Sequence, residues 1–287
     1  MIIRKIGDKK PNVLVFQGSP RDLDTCPGME SKTDKILKAT IERYSPFIDF
    51  TIIDLSVNTS KKPNIQPCKG CVSTAGGYHC HFPCSCYFKG GKTTDLLAEL
   101  DVYDRLQKCD AFLIFSPIHW HSLTSQIKTL FDRLVCINQT LTIDDAKKIT
   151  GDEIKNVEKT GKLARSGKYD GMLRNHLEGK VCGFFVHGDD GADDYDGKKL
   201  PDSYDVLNDN FSLDPKSVVM PYVMQMKYSG VFVPDELIEV FYMNKGIDYN
   251  TANRTLVKNK EPFDRAFTLI ERLLEYLDVR SKENKLI

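Results

Sequence analysis

Three short stretches of this sequence hold residue types suited to binding a ligand, and a fourth is rich in thiols. The first is Gly18-Ser19-Pro20-Arg21, continuing to Ser31-Lys32-Thr33. It leads from an apolar run into a helical pattern. Amide N–H groups at a helix start, with the helix dipole, favour a bound phosphate. The hydroxyls of Ser19, Ser31 and Thr33 can donate to such a group, and Arg21 can add charge-assisted bonds. The Gly-x4-Gly-Lys-Ser/Thr pattern is missing here, so ATP and GTP are not expected. An ordinary polar turn before a capped helix would have the same composition, and both readings stay open on spacing alone.

The second stretch, Ser116 to Ser122, contains the only Trp, Trp120, between His119 and His121. A flat aromatic ligand would pack against Pro117, Ile118 and Trp120 while backbone groups meet its polar edge. The competing reading is a Trp that covers the end of a sheet, with structural histidines. The third stretch, Gly188-Asp189-Asp190-Gly191, is placed to close over the same ligand, although a solvated loop reads identically. The acidic run Asp193 to Asp196 does not have calcium-loop spacing.

The fourth stretch contains Cys68, Cys71, Cys80, Cys84 and Cys86. Cys68 and Cys71 stand at C-x2-C spacing, which lets one tight turn present two thiolates to zinc or to an iron–sulfur cluster. His79 and His81 widen the choice of ligands. A cysteine-rich loop without metal is the alternative. Nine cysteines in a reducing compartment are not expected to form structural disulfides. Cys109, Cys136 and Cys182 lie in apolar runs and read as small buried residues.

Alternating strands and helices must position these stretches. Apolar runs at Val13–Phe16, Phe50–Leu55, Ala111–Phe115 and Val181–Val186 read as strands, and Leu237–Tyr242 as a fifth. Ile36, Leu37, Thr40, Ile41 and Tyr44 recur at helical spacing. Helices are also expected over Asp95–Lys108, from Ser122 through Leu134, and over Val218–Tyr228 despite Pro221. Phe263, Phe267, Ile270, Leu273, Leu274 and Leu277 define an amphipathic closing helix with Pro262 in its first turn. This alternation implies a parallel sheet covered on both faces. In such sheets ligands bind beyond the carboxyl ends of the strands, where the three candidate loops fall.

The 287 residues are 41% hydrophobic, enough for a sizeable core. Lys+Arg and Asp+Glu are both 40, so the chain has none of the basic surplus usual in a nucleic-acid binder. The start of the chain has no apolar signal core, and no run approaches membrane-spanning length. A soluble cytoplasmic protein is expected, with neither nucleic acid nor membrane as partner.

Val13–Arg21 with Ser31–Thr33, and above all Asp110–Leu134, resemble the flavodoxin-like NAD(P)H-dependent FMN reductase family. The second segment has the strand, the Ser-Pro-hydrophobic-aromatic turn and the helix ending Phe131-Asp132-Arg133 of the family's flavin-facing segment. Val181–Gly191 is similar to the family's third loop, and Gly230–Asp248 to its last strand region. The resemblance implies an α/β fold with a doubly wound, five-stranded parallel sheet in the order 2-1-3-4-5. It reads residues 1–287 as a single domain with a Cys-rich insertion at about 59–94 and a charged one at about 138–180.

By the same resemblance, Ser19, Arg21, Ser31 and Thr33 would hold the FMN phosphate, with Lys32 in the same loop. Pro117, Ile118, His119 and Trp120 would face the isoalloxazine and ribityl, and Gly188 and Asp189 would close the third side. Nine residues separate Arg21 from Ser31, more than in the family's compact loop. The implied activity is an oxidoreductase passing reducing equivalents from NAD(P)H through FMN to a small-molecule or protein acceptor, as a homodimer or homotetramer. The cysteine stretch is similar at its start to that of iron–sulfur flavoproteins, which keeps an electron carrier open. A flavodoxin-fold binding protein without cofactor is the third reading.

Overall fold

In the computed structural model, the described residues are 10–25, 28–56, 64–70, 80–84, 86–150, 170–189, 215–243 and 249–283. Five strands make the central sheet: β1 (Asn12–Gln17), β2 (Asp49–Asp54), β3 (Ala111–His119), β4 (Val181–Asp189) and β5 (Ile238–Met243). They pair in the order β2-β1-β3-β4-β5, all parallel. This is the 2-1-3-4-5 arrangement of the flavodoxin-like fold. Val13 pairs with Phe50 and with Ala111, and Ala111 pairs with Val181, so the strands share one register across the sheet.

Side-chain alternation along the strands divides the core in two. On one face Leu14, Phe16, Phe112, Ile114, Phe184 and Val186 pack against α2 (Val102–Lys108), α3 (Ser125–Arg133) and α4 (Met220–Tyr228). On the other, Val13, Val15, Leu113, Phe115 and Phe185 pack against α1 (Lys32–Tyr44) and α5 (Glu261–Glu283). Burial on both faces is why these strands read as continuous apolar runs. Cys109, Cys136 and Cys182 are buried in the first core, as their apolar surroundings indicate.

The structure departs from the sequence reading at several boundaries. The helix expected over Asp95–Lys108 is two: a short turn, Leu96–Glu99, capped by Asp95, and then α2. Asp101 parts them with a left-handed φ of 50°, a conformation that Asp tolerates better than most residues. The break lets Leu96, Leu97, Val102 and Leu106 all reach one core. α4 begins at Met220, with Pro221 in its first turn, after a 3-10 segment, Pro215–Val219.

Strands β3 and β4 also run further than their apolar cores. Ser116 and Pro117 pair with Val186 and His187, and Gly188 and Asp189 pair with Tyr242 and Met243. Two stretches read as loops are therefore strand ends, each held by a neighbour that extends equally far. The charged insertion is helical over Ile143–Thr150, while its residues 151–169 lie outside the described ones. Cys71, His79 and the acidic run from Asp190 also lie outside them.

Candidate active site at the carboxyl edge of the sheet

Loop one leaves β1 in a conformation fixed from three sides. Gly18 N donates to Phe115 O at 2.7 Å, and Gly18 O accepts from Thr124 Oγ1 at 2.7 Å. A Cβ at Gly18 would lie 2.5 Å from Ile127 Cγ1, so only glycine lets the loop pass this close to α3. Gln17 reaches forward to accept from Ser19 N and back to donate to Asp54 Oδ1. The loop then closes on itself: Asp22 Oδ1 accepts from Asp24 N, and Thr25 Oγ1 from Asp22 N.

At the far end of the loop, Ser31 caps α1 by accepting from Asp34 N at 3.3 Å. Asn253 fastens this corner, donating to Glu30 O and accepting from Lys35 Nζ at 2.6 Å. Ser19, Ser31, Lys32 and Thr33 are each 3% exposed or less. Buried polar groups require partners, and theirs are specific. Lys32 Nζ lies 2.5 Å from Asp189 Oδ2, and Thr33 Oγ1 lies 2.8 Å from His187 Nε2. The first turn of α1 is thus tied to the end of β4, 154 residues away between Thr33 and His187.

Three positive side chains gather at this helix start. Arg21 and Lys35 both act electrostatically on Lys32. Burial depresses the Lys32 pKa most, the pairing with Asp189 opposes this, and Arg21 and Lys35 depress it further. The arrangement suits an anion. Ser19 Oγ accepts from Arg21 N, and Ser31 Oγ accepts from Asp34 N. Among the described residues neither hydroxyl has an acceptor for its own proton, so each can donate to an oxygen that only accepts. Amide groups of the first helical turn point the same way. These residues fit a phosphate monoester, the acidic end of FMN.

Loop two is a hairpin rather than an open turn. β3 continues through Ile118 and His119, which pair antiparallel with Leu123 and Ser122. Trp120 and His121 form its two-residue tip with φ of 48° and 60°. Positive φ at both central residues is the geometry whose twist matches the flanking strands. Glycine or asparagine is usual there, and two consecutive left-handed residues of other types carry strain of the kind found at functional sites. Trp120 is 95% exposed, so it does not cover the sheet end. Pro117 and Ile118, on the strand that leads to it, are half-buried. His119 is exposed at the strand end, yet desolvation by its neighbours, and secondarily Arg21, hold its pKa below the usual imidazole value. That coupling places His119 close to loop one.

Behind the hairpin lies a cleft of about 590 Å³ lined by His119, Trp120, Leu123, Lys128, Phe131 and Tyr222, among others. Across it Ser122 Oγ meets Tyr222 Oη at 3.2 Å. Gly188 lies in β4, where Tyr242 and Ile118 occupy the space its side chain would take: an added Cβ would lie 2.5 Å from the Tyr242 ring. Asp189, by contrast, faces the start of α1 through Lys32.

Sequence reasoning missed Gln17, Thr124, His187 and Asn253, which hold the loops without belonging to them. Only the N-cap spacing of Thr124 ahead of Ile127 offered a signal.

The cysteine segment is placed in part. Cys68 is exposed, Cys80 and Cys84 are buried, and Cys86 is intermediate. Among the described residues no three His, Cys, Asp or Glu side chains are arranged to hold a metal ion. The Cys84 thiol is pulled down to about 5, chiefly by the hydrogen bond from Cys86 and then, against the opposing effect of burial, by nearby Arg133. Arg133 itself, the end of the family-like segment, is a structural pin. Its Nη1 and Nη2 meet Asp95 Oδ1 and Oδ2 at 2.8 and 3.0 Å, and Nη1 also donates to Gln66 O.

The flavodoxin-like sheet thus has a strand–loop–helix corner suited to an anion beside an aromatic hairpin. Residues 11–151, just under half of the chain, match the model of the NADPH-dependent FMN reductase family. No curated protein matches the sequence. Among solved structures, the chain is similar to an NAD(P)H:quinone oxidoreductase from Methanothermobacter marburgensis, at 10% identity and a TM-score of 0.49, covering 91% of this chain and 98% of that one. It is similar to general stress protein 14 from Treponema denticola, in complex with FMN, at 13% identity and a TM-score of 0.44, covering 93% and 99%. An azoreductase from Bacillus anthracis gives 13% identity and a TM-score of 0.41, covering 95% and 99%. Likenesses at this level add nothing to the strand order already described. Among the described residues no helix is long and apolar enough to cross a membrane.

Proposed function

We propose that the chain binds FMN with its phosphate at the start of α1 and its ring beside the 116–123 hairpin, and passes reducing equivalents from NAD(P)H to a small-molecule or protein acceptor. The observation that carries this is the set of buried hydroxyls of Ser19 and Ser31, with protons left to donate, beside Arg21 and Lys32. The flavin supplies the redox chemistry when bound. The protein's own residues bind and orient. Ser19, Ser31, Thr33 and Arg21 take the phosphate, with Lys32 held in place by Asp189. Pro117 and Ile118 offer a half-buried apolar edge, with His119 and Trp120 beyond it. Gly188 lets Tyr242 pack against Ile118 and so firms that edge from behind. The cleft behind the hairpin is roomy enough for an acceptor or a nicotinamide ring.

Zinc and an iron–sulfur cluster are left out of this reading, because nothing in the described cysteine segment favours them. The reading extends to a homo-oligomer. Met220, Met224 and Tyr228 stand exposed on α4 beside the cleft, where a second copy would cover them.

The test is an FMN titration of wild type and Arg21→Ala. Loss of charge-assisted bonds should weaken binding by about 1.5–3 kcal/mol, roughly ten- to hundredfold. Unchanged affinity would remove Arg21 from the site. A wild-type protein that ignores FMN would overturn the whole assignment.

A further inference from the structure

His187 is the least expected group at the carboxyl edge of the sheet. It sits near the end of β4, buried, with Phe185 and Phe241 rings 6.3 Å from its own. Its Nε2 is 2.8 Å from Thr33 Oγ1, and its Nδ1 has no hydrogen-bond partner among the described residues. Thr33 is itself 1% exposed, in the first turn of α1, and its hydroxyl makes no other hydrogen bond there. Desolvation pushes the imidazole pKa down to about 4, against the pull of Asp189 and with the push of Lys32, so the ring is neutral at physiological pH.

A neutral imidazole carries one N–H, and the two possible placements are unequal. With the proton on Nδ1, a buried donor would have no acceptor, and orphaned buried N–H groups are rare. Thr33 would then spend its hydroxyl proton on Nε2. With the proton on Nε2, His187 donates to Thr33 Oγ1 and leaves only a bare lone pair unpaired. The Thr33 proton is then released to point elsewhere, and Ser19, Ser31 and Arg21 gather on the same corner. A hydroxyl that accepts from a fixed donor becomes a better and better-aimed donor itself.

We propose that His187 is a positioning residue: as the Nε2–H tautomer it fixes the Thr33 hydroxyl as a hydrogen-bond donor to the phosphate of FMN. This rests on the phosphate reading above and assigns a role to a residue outside the binding loop. It also gives a reason for β4 extending past its apolar core, since that extension delivers both His187 to Thr33 and Asp189 to Lys32.

The experiment compares FMN with riboflavin, which lacks the phosphate, on flavin-free protein. Wild type should bind FMN the more tightly. In His187→Phe the FMN affinity should fall about tenfold, the scale of one lost, well-aligned bond to a charged group, while riboflavin affinity holds. His187→Gln, which keeps an N–H donor, should recover part of the loss. Equal losses for both ligands, or an undiminished preference for FMN, would overturn the inference while leaving the phosphate site standing. A wild type that does not distinguish the two ligands removes the phosphate reading and this inference with it. Nitrogen-15 NMR of wild type decides the case independently of whether the variants fold: a proton on Nε2 is expected, and a proton on Nδ1 overturns the proposal.

Discussion

Thr124 Oγ1 donates a 2.7 Å hydrogen bond to the carbonyl of Gly18, joining the loop after β1 to the start of α3. The same oxygen accepts from Ile127 N and so caps that helix. One buried hydroxyl therefore joins the loop after β1 to the helix that follows the aromatic hairpin. Thr124→Val should leave a buried carbonyl unpaired and the helix uncapped, at a cost of about 1–3 kcal/mol. Thr124→Ser should recover most of it. Urea unfolding midpoints would show the difference, and an unchanged midpoint in Thr124→Val would contradict the assigned bonds.

Asp95 and Arg133 form a pair in which both side chains are 1% exposed or less. Asp95 also accepts from Gln66 N and caps the Leu96–Glu99 turn, so the pair pins the insertion to α3. Arg133→Met strands a buried carboxylate and should cost about 3–5 kcal/mol. Adding Asp95→Asn should return part of that loss. If the double variant is no more stable than the single, the cost lies in packing rather than in the uncompensated charge.

His187 makes stability depend on pH with a definite sign. The unfolded side chain titrates near the usual 6.5 and the folded one near about 4. Between those values the unfolded state holds the extra proton, so stability falls as the pH drops from 6.5 towards 4 and is flat above that window. The full shift corresponds to about 3 kcal/mol. His119 and His176 are shifted in the same direction and add to the slope. The informative quantity is thus the difference between wild type and His187→Gln, whose curve should be shallower. Parallel curves would mean that His187 is not held neutral.

Trp120 is the only Trp and stands 95% exposed at the hairpin tip. Its emission should be that of a solvated indole and should be quenched by iodide nearly as readily as free tryptophan. Saturating FMN should then quench it strongly. A blue-shifted, iodide-resistant spectrum would contradict the hairpin geometry, and emission indifferent to FMN would contradict the placement of the flavin.

The sheet was legible from the sequence because strands buried on both faces must be apolar at every position. Val13–Phe16, Ala111–Phe115 and Val181–Val186 each announce themselves that way. The candidate phosphate loop stood out by its residue types, hydroxyls and an arginine between a strand and a helix, a composition that an ordinary capped turn shares. What composition cannot convey is which partner meets which. Ser116 to His119, with Gly188 and Asp189, looked like loops because their own side chains are mixed, and they are strands because neighbours extend alongside them. Nothing near Trp120 or His121 signals a two-residue turn, because its glycine-like φ values are imposed by the strands it joins. Thr33 with His187, Lys32 with Asp189, and Thr124 with Gly18 are each more than 100 residues apart. Local pattern carries local conformation and burial. A hydrogen bond between distant residues depends on where the whole sheet places two strand ends, and only the tertiary structure decides that.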